Sequence, residues 1–386
     1  MSGKYYLGVC MVASMMLVGC YGTGMKIEGP DAPGIKSSLG DSMQPTRVLM
    51  IHGMGHMGNP PENWSKDLRQ NLAVKLNVSA SDCKTIFIYN DKNTEHKKAP
   101  VRKYDENTIL QICTYAGTNG QTLQFYELTW SMLTEDIKEK VLGYDRKYAS
   151  DRAKKNKDVK EKVINKGLSD AILYVANYRF ALQYPIEQAI CMVAYRFQEG
   201  MPCRFTEVRG QVDNLFIITH SLGSFMLYDT LKAKYARNAG NDGDPERTAV
   251  FDNIKKRTKT IYMLANQLPL LCLAFFSNAH RECEEPGTAR VESNESQSAP
   301  QIHVIAISDP NDLLSYPLTD WQLGFLDLKV QVGPPTNVLV DLAGFSWTNI
   351  LGWADSFSAH NGFYDDDRVV DVIACGIKKN QVAKCR

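Results

Sequence analysis

The chain has 386 residues, 44% of them hydrophobic, and a formal net charge of +1 at pH 7. This length is enough for one large domain or two smaller ones, with a sizeable buried core. The near-neutral balance lacks the basic excess of a nucleic-acid-binding protein, so no nucleic-acid partner is predicted.

The first residues have the pattern of an export signal. Lys4 supplies a positive charge, and the apolar stretch Tyr5–Val18 is too short to span a bilayer. The stretch ends in Leu17-Val18-Gly19-Cys20, which resembles the lipobox of bacterial lipoproteins. The resemblance implies a signal peptide over 1–19, lipidation of Cys20 and a lipid anchor in the bacterial cell envelope, at the outer membrane on its periplasmic or surface face. The alternative is an ordinary signal peptide with an incidental cysteine.

Residues 20–46 are rich in glycine, proline and serine and lack hydrophobic periodicity. Such a composition is typical of linkers. We therefore predict a flexible tether over 20–46, followed by a folded domain over 47–386.

Short apolar runs alternate with helical patterns through the predicted domain. Runs typical of buried strands cover 47–51, 123–128, 214–218, 260–264, 302–307 and 338–342, and two β-rich runs at 85–89 and 108–115 predict a hairpin. Helices are predicted over 64–76, after residue 221 and over 367–377. This alternation predicts an α/β fold with a mainly parallel central sheet flanked by helices. Functional residues then gather at the carboxyl ends of the strands.

Residues 131–209 differ from this pattern and predict a helical insertion of the cap or lid type. Glu135–Lys166 is crowded with charged residues, whereas Leu168–Phe197 is apolar with helical periodicity. The basic part, Arg146–Lys166, either rests on anionic lipid headgroups while the apolar part covers the site, or is a solvated charged helix.

A serine follows the strand at 214–218. The run Thr219-His220-Ser221-Leu222-Gly223 resembles the nucleophile elbow of α/β-hydrolases, in which a strand delivers the serine onto a sharp turn before a helix. Gly223 occupies the second glycine position of that motif, and Thr219 stands at the first. The alternative is a surface serine that caps a helix.

A glycine-containing loop follows the strand at 47–51. His52-Gly53-Met54-Gly55 resembles the oxyanion loop of the same family. The resemblance implies that the backbone N–H groups of Met54 and Leu222 stabilise the developing oxyanion. His52, Gly53 and Gly55 form the loop, and its glycines let the backbone approach the substrate.

In this family the acid and the base follow the serine in the order Asp, His. Asp312 lies in a loop after the strand at 302–307 and is the favoured acid, with Asp309 as the alternative. His360 is the only histidine after Asp312 and is the predicted base. His360 would take the proton of Ser221, and the acid would hold the imidazole in the required tautomer.

The resemblance implies an α/β-hydrolase fold and a serine-dependent hydrolase of carboxylic esters. The lipid tether and the apolar run Leu268–Phe276 favour lipid esters and a membrane-bound protein, although that run is more typical of a core. An acyltransferase with the same triad is one alternative. A catalytically inactive protein that binds lipid or protein is another, because Thr219 departs from the motif. No cofactor is predicted, and the oligomeric state stays open.

Eight cysteines remain beyond Cys10 and Cys20, and an even number in an exported chain predicts disulfides. Their spacing suggests four close pairs: Cys83–Cys113, Cys191–Cys203, Cys272–Cys283 and Cys375–Cys385. The alternative is that several are buried free thiols. No C-x-x-C spacing occurs and the seven histidines are scattered, so no metal site is predicted.

Overall fold

The computed structural model describes residues 24–40, 44–55, 64–88, 108–194, 203, 214–238, 254–277, 280–281, 302–323, 332–343 and 356–385. The strands are β1 Lys26–Glu28, β2 Ala32–Pro33, β3 Thr46–Ile51, β4 Val78–Phe87, β5 Ile109–Gly117, β6 Thr122–Thr129, β7 Leu215–His220, β8 Thr258–Leu264, β9 Phe276–Ser277, β10 His280–Arg281, β11 His303–Ser308, β12 Thr336–Leu339, β13 Gly376–Lys378 and β14 Gln381–Val382. The α-helices are α1 Lys66–Leu76, α2 Met132–Leu142, α3 Lys154–Asp158, α4 Ser169–Val175, α5 Arg179–Ala194, α6 Leu222–Asn238, α7 Leu268–Cys272, α8 Ser356–Asn361 and α9 Asp367–Cys375.

The centre of the fold is a mixed nine-stranded sheet in the order β1-β12-β11-β8-β7-β3-β6-β5-β4. Its six middle strands, from β12 to β6, are parallel, whereas the pairings at the edges, β1 with β12, β5 with β6 and β4 with β5, are antiparallel. The α/β class and the mainly parallel sheet are therefore confirmed, and the predicted hairpin is the β4–β5 pair.

The two faces of the sheet are covered by different helices. In β3, Val48 and Met50 pack into the cluster that contains residues of α1 and α9. Leu49 and Ile51 point to the opposite face, into the cluster with α5 and α6. Because side chains alternate along a strand, a parallel strand buried on both faces is a continuous apolar run. This explains why these strands are visible in the sequence.

The neighbouring strands β3 and β7 lead to opposite sides of the sheet. The connection that leaves β3 leads to β4 at one edge, whereas the connection that leaves β7 leads to β8 on the other side. Such a switch point opens a crevice at the carboxyl ends of the strands. The loop after β3 and the turn after β7 both lie at this crevice.

Part of the predicted tether belongs to the fold. β1 adds to the edge of the sheet beside β12, and β2 pairs with β13. The Thr336 hydroxyl donates to the Pro30 carbonyl oxygen. The folded domain thus begins before residue 47, because backbone hydrogen bonds to an existing sheet edge need no hydrophobic periodicity.

The predicted insertion is mostly helical in its described part, which contains α2 to α5, a 3-10 helix at Gly143–Asp151 and a π-helix at Val159–Leu168. Its last helix is not a surface cap, because the residues of α5 from Ile186 to Ala194 are all buried against the sheet and α6. The cap-like part ends before α5. Within the described ranges, none of the helices has both the length and the apolarity needed to cross a bilayer.

Three of the four predicted disulfides are present: Cys83–Cys113, Cys191–Cys203 and Cys375–Cys385. The first joins directly opposed residues of β4 and β5. Cys272 is also disulfide-bonded, and its predicted partner Cys283 lies outside the described residues, as does Cys20.

Candidate active site

The predicted nucleophile lies on a tight turn between β7 and α6. Ser221 has a φ of +53°, in the left-handed region that residues other than glycine rarely adopt. Its backbone N–H donates to the Leu264 carbonyl oxygen at 2.8 Å, and its own carbonyl oxygen accepts from Ser224 N–H at 3.1 Å. These bonds hold the strained residue at the end of β7, as a strand-to-helix elbow requires.

Thr219 fits the elbow through hydrogen bonds. Its hydroxyl lies 3.2 Å from the Tyr262 carbonyl oxygen and 2.8 Å from the Ser224 hydroxyl. Because a carbonyl oxygen only accepts, Thr219 donates to Tyr262 and therefore accepts from Ser224. The branched side chain links β7 to β8 and α6, and it lies fully buried.

The side chains of Ser221, His360 and Asp312 form one hydrogen-bonded triad. His360 Nδ1 lies 2.7 Å from Asp312 Oδ2, and His360 Nε2 lies 2.9 Å from Ser221 Oγ. A carboxylate only accepts, so Nδ1 of the neutral ring carries the proton and Nε2 accepts from the serine hydroxyl. The ring is thus oriented to take a proton from Ser221.

Asp309 occupies a different place from Asp312. Its carboxylate accepts backbone N–H groups of Asn311 at 2.6 Å, Leu342 at 2.5 Å and Ala343 at 3.2 Å. These contacts fix the loop after β11 against the segment after β12. Of the two candidate acids, Asp312 is the one in contact with His360.

Two glycines bring the loop after β3 against the elbow. A Cβ on Gly223 would lie 2.6 Å from the His52 carbonyl oxygen, and a Cβ on Gly53 would lie 2.5 Å from Ser221 Cβ. No side chain fits at such distances, so both positions require glycine. Their contact places the predicted oxyanion loop directly beside Ser221.

The loop of residues 52–55 is held by the side chains of His52 and Trp130. The two rings are stacked with centroids 4.8 Å apart. Trp130 N–H donates to His52 Nε2, and its indole N–H donates to the His52 carbonyl oxygen, each at 3.1 Å. Since Nε2 accepts, Nδ1 carries the proton and donates to the Gly53 carbonyl oxygen at 2.7 Å. Trp130 was not predicted from the sequence, because only the folded sheet brings the end of β6 beside β3.

Two backbone N–H groups beside Ser221 are available to a substrate. Leu222 is the first residue of α6, where the N–H has no acceptor within the helix. Met54 N–H has no acceptor among the residues that the structure describes. The positive end of the α6 dipole also favours negative charge at this position.

His220 contacts the triad through the backbone of His360. Its Nε2 donates to the His360 carbonyl oxygen at 2.9 Å. Burial, and next the positive charge that His360 can carry, lower the pKa of His220 to about 3, so its ring is neutral at physiological pH. His220 therefore positions the backbone of His360 without adding a charge.

Asp170 connects α4 to the oxyanion loop. Its fully buried carboxylate accepts from Gly55 N–H at 2.7 Å, from the Thr134 hydroxyl at 2.6 Å and from Lys138 Nζ at 2.9 Å. Burial raises the pKa of Asp170, and the charge of Lys138 counteracts that rise. A single aspartate does not reveal a partner 115 positions away in the chain, so this contact also was not predicted.

No protein-family model, curated protein or solved structure matches this chain. The interpretation of the site therefore rests on its own geometry and chemistry. Among the residues that the structure describes, no three His, Cys, Asp or Glu side chains are grouped so as to hold a metal ion.

Proposed function

We propose that the chain is a serine hydrolase of carboxylic esters with an α/β-hydrolase fold. The observation that carries this proposal is the triad on the elbow: Ser221 at positive φ, hydrogen-bonded to His360, which is hydrogen-bonded to Asp312. The order of serine, acid and base along the chain is that of the α/β-hydrolases. Each of the three follows a parallel strand of the same sheet, which supports the assignment further.

In the proposed reaction, His360 removes the Ser221 proton as Oγ attacks the ester carbonyl carbon. The imidazolium then donates that proton to the leaving alcohol, which leaves an acyl group on Ser221. A water molecule, deprotonated by His360, releases the acid and restores the serine. Asp312 stabilises the imidazolium in both steps.

Met54 N–H and Leu222 N–H are proposed to stabilise the tetrahedral intermediate. Both belong to segments that touch Ser221, and neither has an acceptor among the residues that the structure describes. Donors that are fixed before the reaction avoid reorganisation as charge develops on the carbonyl oxygen. The contacts of His52 with Trp130 and Gly53 serve this purpose, because they fix the backbone of the loop.

Lipid esters are the proposed substrate class, and the bacterial membrane, reached through a lipid on Cys20, is the proposed location. Support comes from large apolar side chains on the cap-like insertion that are exposed to solvent: Val141, Tyr144, Tyr148, Val159, Ile164, Leu168 and Ile172. Leu313, next to the proposed acid, is 76% exposed. Arg146–Lys166 adds nine lysines and arginines against three acidic residues, which favours an anionic surface.

A fluorophosphonate probe tests the proposed nucleophile. We expect the probe to label the peptide that contains Ser221, and Ser221→Ala to abolish both labelling and hydrolysis of p-nitrophenyl butyrate. Ser224→Ala is the matched control, since Ser224 lies one helical turn away and bonds to Thr219 rather than His360. A Ser221→Ala protein that hydrolyses the ester at the wild-type rate would refute the proposal.

A second pair of variants tests the acid. Asp312→Asn removes the carboxylate that orients His360, and we expect kcat to fall by about 10³- to 10⁴-fold, as in other triads. Asp309→Asn removes a carboxylate of the same loop that does not touch the base, so its effect on kcat is much smaller. An equal loss in both variants would contradict the assignment. Product analysis with an added alcohol separates hydrolysis from acyl transfer.

A further inference from the structure

The insertion reaches the oxyanion loop through one buried carboxylate. Asp170, in α4, accepts from Gly55 N–H with Oδ2, while Oδ1 is engaged by Thr134 and Lys138. Gly55 directly follows Met54, whose N–H is a proposed oxyanion donor. We propose that Asp170 is a positioning residue for this reaction: it fixes the Met54 N–H by holding the next peptide of the loop.

The geometry of the loop explains why such an anchor is needed. Gly55 has a φ of +83°, a conformation open to glycine that leaves the backbone free to adopt others. The ring contacts of His52 fix the first half of the loop, up to the Gly53 carbonyl oxygen. The hydrogen bond from Gly55 N–H to Asp170 fixes the second half. Met54 lies between these two anchors, so losing either one frees its N–H to turn away from Ser221.

The carboxylate itself is rigidly held. Asp170 is inaccessible to solvent, and the Lys138 side chain that pairs with it is only 5% exposed. Lys138 Nζ also approaches the Lys166 carbonyl oxygen at 3.3 Å, which ties α2 to the segment before α4. A hydrogen bond to a charged, desolvated acceptor is stronger and shorter than a neutral one. The insertion therefore supplies a fixed acceptor rather than a mobile surface contact.

This inference rests on the proposed function, and two double variants test it. Asp170→Asn/Lys138→Met keeps a side-chain oxygen for Gly55 N–H and removes the buried charges together. Asp170→Ala/Lys138→Met removes the same charges and the acceptor as well. Because neither variant leaves an unpaired buried lysine, both are expected to fold, with the melting temperature as the check. Asp145→Ala is the control, since Asp145 pairs with Arg152 and Lys160 in the same insertion but contacts no residue of the loop.

The measurement is kcat and KM for a p-nitrophenyl ester, together with the rate of fluorophosphonate labelling. We expect the alanine double variant to lose about 10²-fold in kcat with little change in KM, which is the effect of displacing an oxyanion donor. The asparagine double variant should recover most of that loss. Equal kcat values in the two folded double variants would overturn the inference. If either fails to fold, hydrogen exchange in the wild-type protein decides, because a Gly55 amide that exchanges at the rate of an unprotected amide would also overturn the inference. A wild-type protein that neither turns over nor labels would instead overturn the proposed function.

Discussion

Replacing Gly53 with alanine should impair catalysis while leaving the fold intact. A Cβ at this position would lie 2.5 Å from Ser221 Cβ and 2.9 Å from the His220 carbonyl oxygen. Carbon atoms pack at separations of about 3.5–4.0 Å, so the loop must retreat by about 1 Å. The elbow cannot move instead, because Ser221 is held by the hydrogen bond to Leu264.

The loop carries Met54 with it as it retreats. A misplacement of about 1 Å in a catalytic group costs about 10²-fold in rate, and removing one oxyanion donor costs about 10²- to 10³-fold in kcat. We therefore expect kcat/KM of Gly53→Ala to fall by about 10²-fold, with a parallel loss in the rate of fluorophosphonate labelling.

Gly167→Ala is the matched control. A Cβ on Gly167 would lie 3.5 Å from the Lys162 carbonyl oxygen and 3.9 Å from Met54 Cβ, which are ordinary contacts. This variant introduces the same methyl group near the same loop, and it should retain wild-type kinetics. Wild-type kcat/KM in a folded Gly53→Ala protein would refute the reasoning, because the loop would then have no part in the reaction.

Other expected outcomes concern the elbow, a buried ion pair and the insertion. Thr219→Val leaves the buried Ser224 hydroxyl and Tyr262 carbonyl oxygen without this hydrogen-bond partner and should lower the free energy of unfolding by about 1–3 kcal/mol. Denaturant titration of the double variant with Ser224→Ala should show that the effects of the two substitutions are coupled. Glu127 forms a buried ion pair with Arg69. Burial raises the pKa of Glu127 to about 7 in spite of the opposing charge of Arg69, so the folded state holds this proton more tightly than the unfolded state. The free energy of unfolding should therefore fall by about 3 kcal/mol as the pH rises from 4.5 to 7, and the same titration of Glu127→Gln should lack this component. Replacing the three lysines of α3 with glutamate should weaken binding of the full chain to anionic vesicles and leave binding to neutral vesicles unchanged. The same replacement of the three lysines after α9 is the control and should not weaken binding to anionic vesicles. Equal binding by the two variants would exclude this role for α3.

The sequence predicted those parts of the fold that are encoded by short local patterns. The buried parallel strands are continuous apolar runs, and Ser221, Asp312 and His360 each follow one of them. The sheet then brings the three together without further information. The close cysteine pairs could also be predicted from the sequence, because the two cysteines of a pair such as Cys375–Cys385 are only 10 positions apart.

Other features depend on contacts that no local pattern encodes. Trp130 meets His52 only because β6 adds beside β3, and Asp170 meets Gly55 across 115 positions of the chain. The core helix α5 did carry a signal, since its last six residues, Ala189–Ala194, are all apolar, and a helix segment that is apolar on all sides belongs in an interior rather than on a cap. Its place next to a charged segment concealed that signal.

Thr219 illustrates the difference between a motif and its physical cause. Positive φ falls on Ser221 alone within the elbow, and a Cβ on Gly53 or Gly223 would lie within 2.6 Å of an atom across the contact between the loop and the elbow. At Thr219 the side chain has room and two hydrogen-bonding partners, Ser224 and the Tyr262 carbonyl oxygen. Glycine is therefore required at positions 53 and 223, where the loop after β3 contacts the turn, and it is not required at position 219. A threonine there is compatible with an intact elbow, so it is not evidence for an inactive protein.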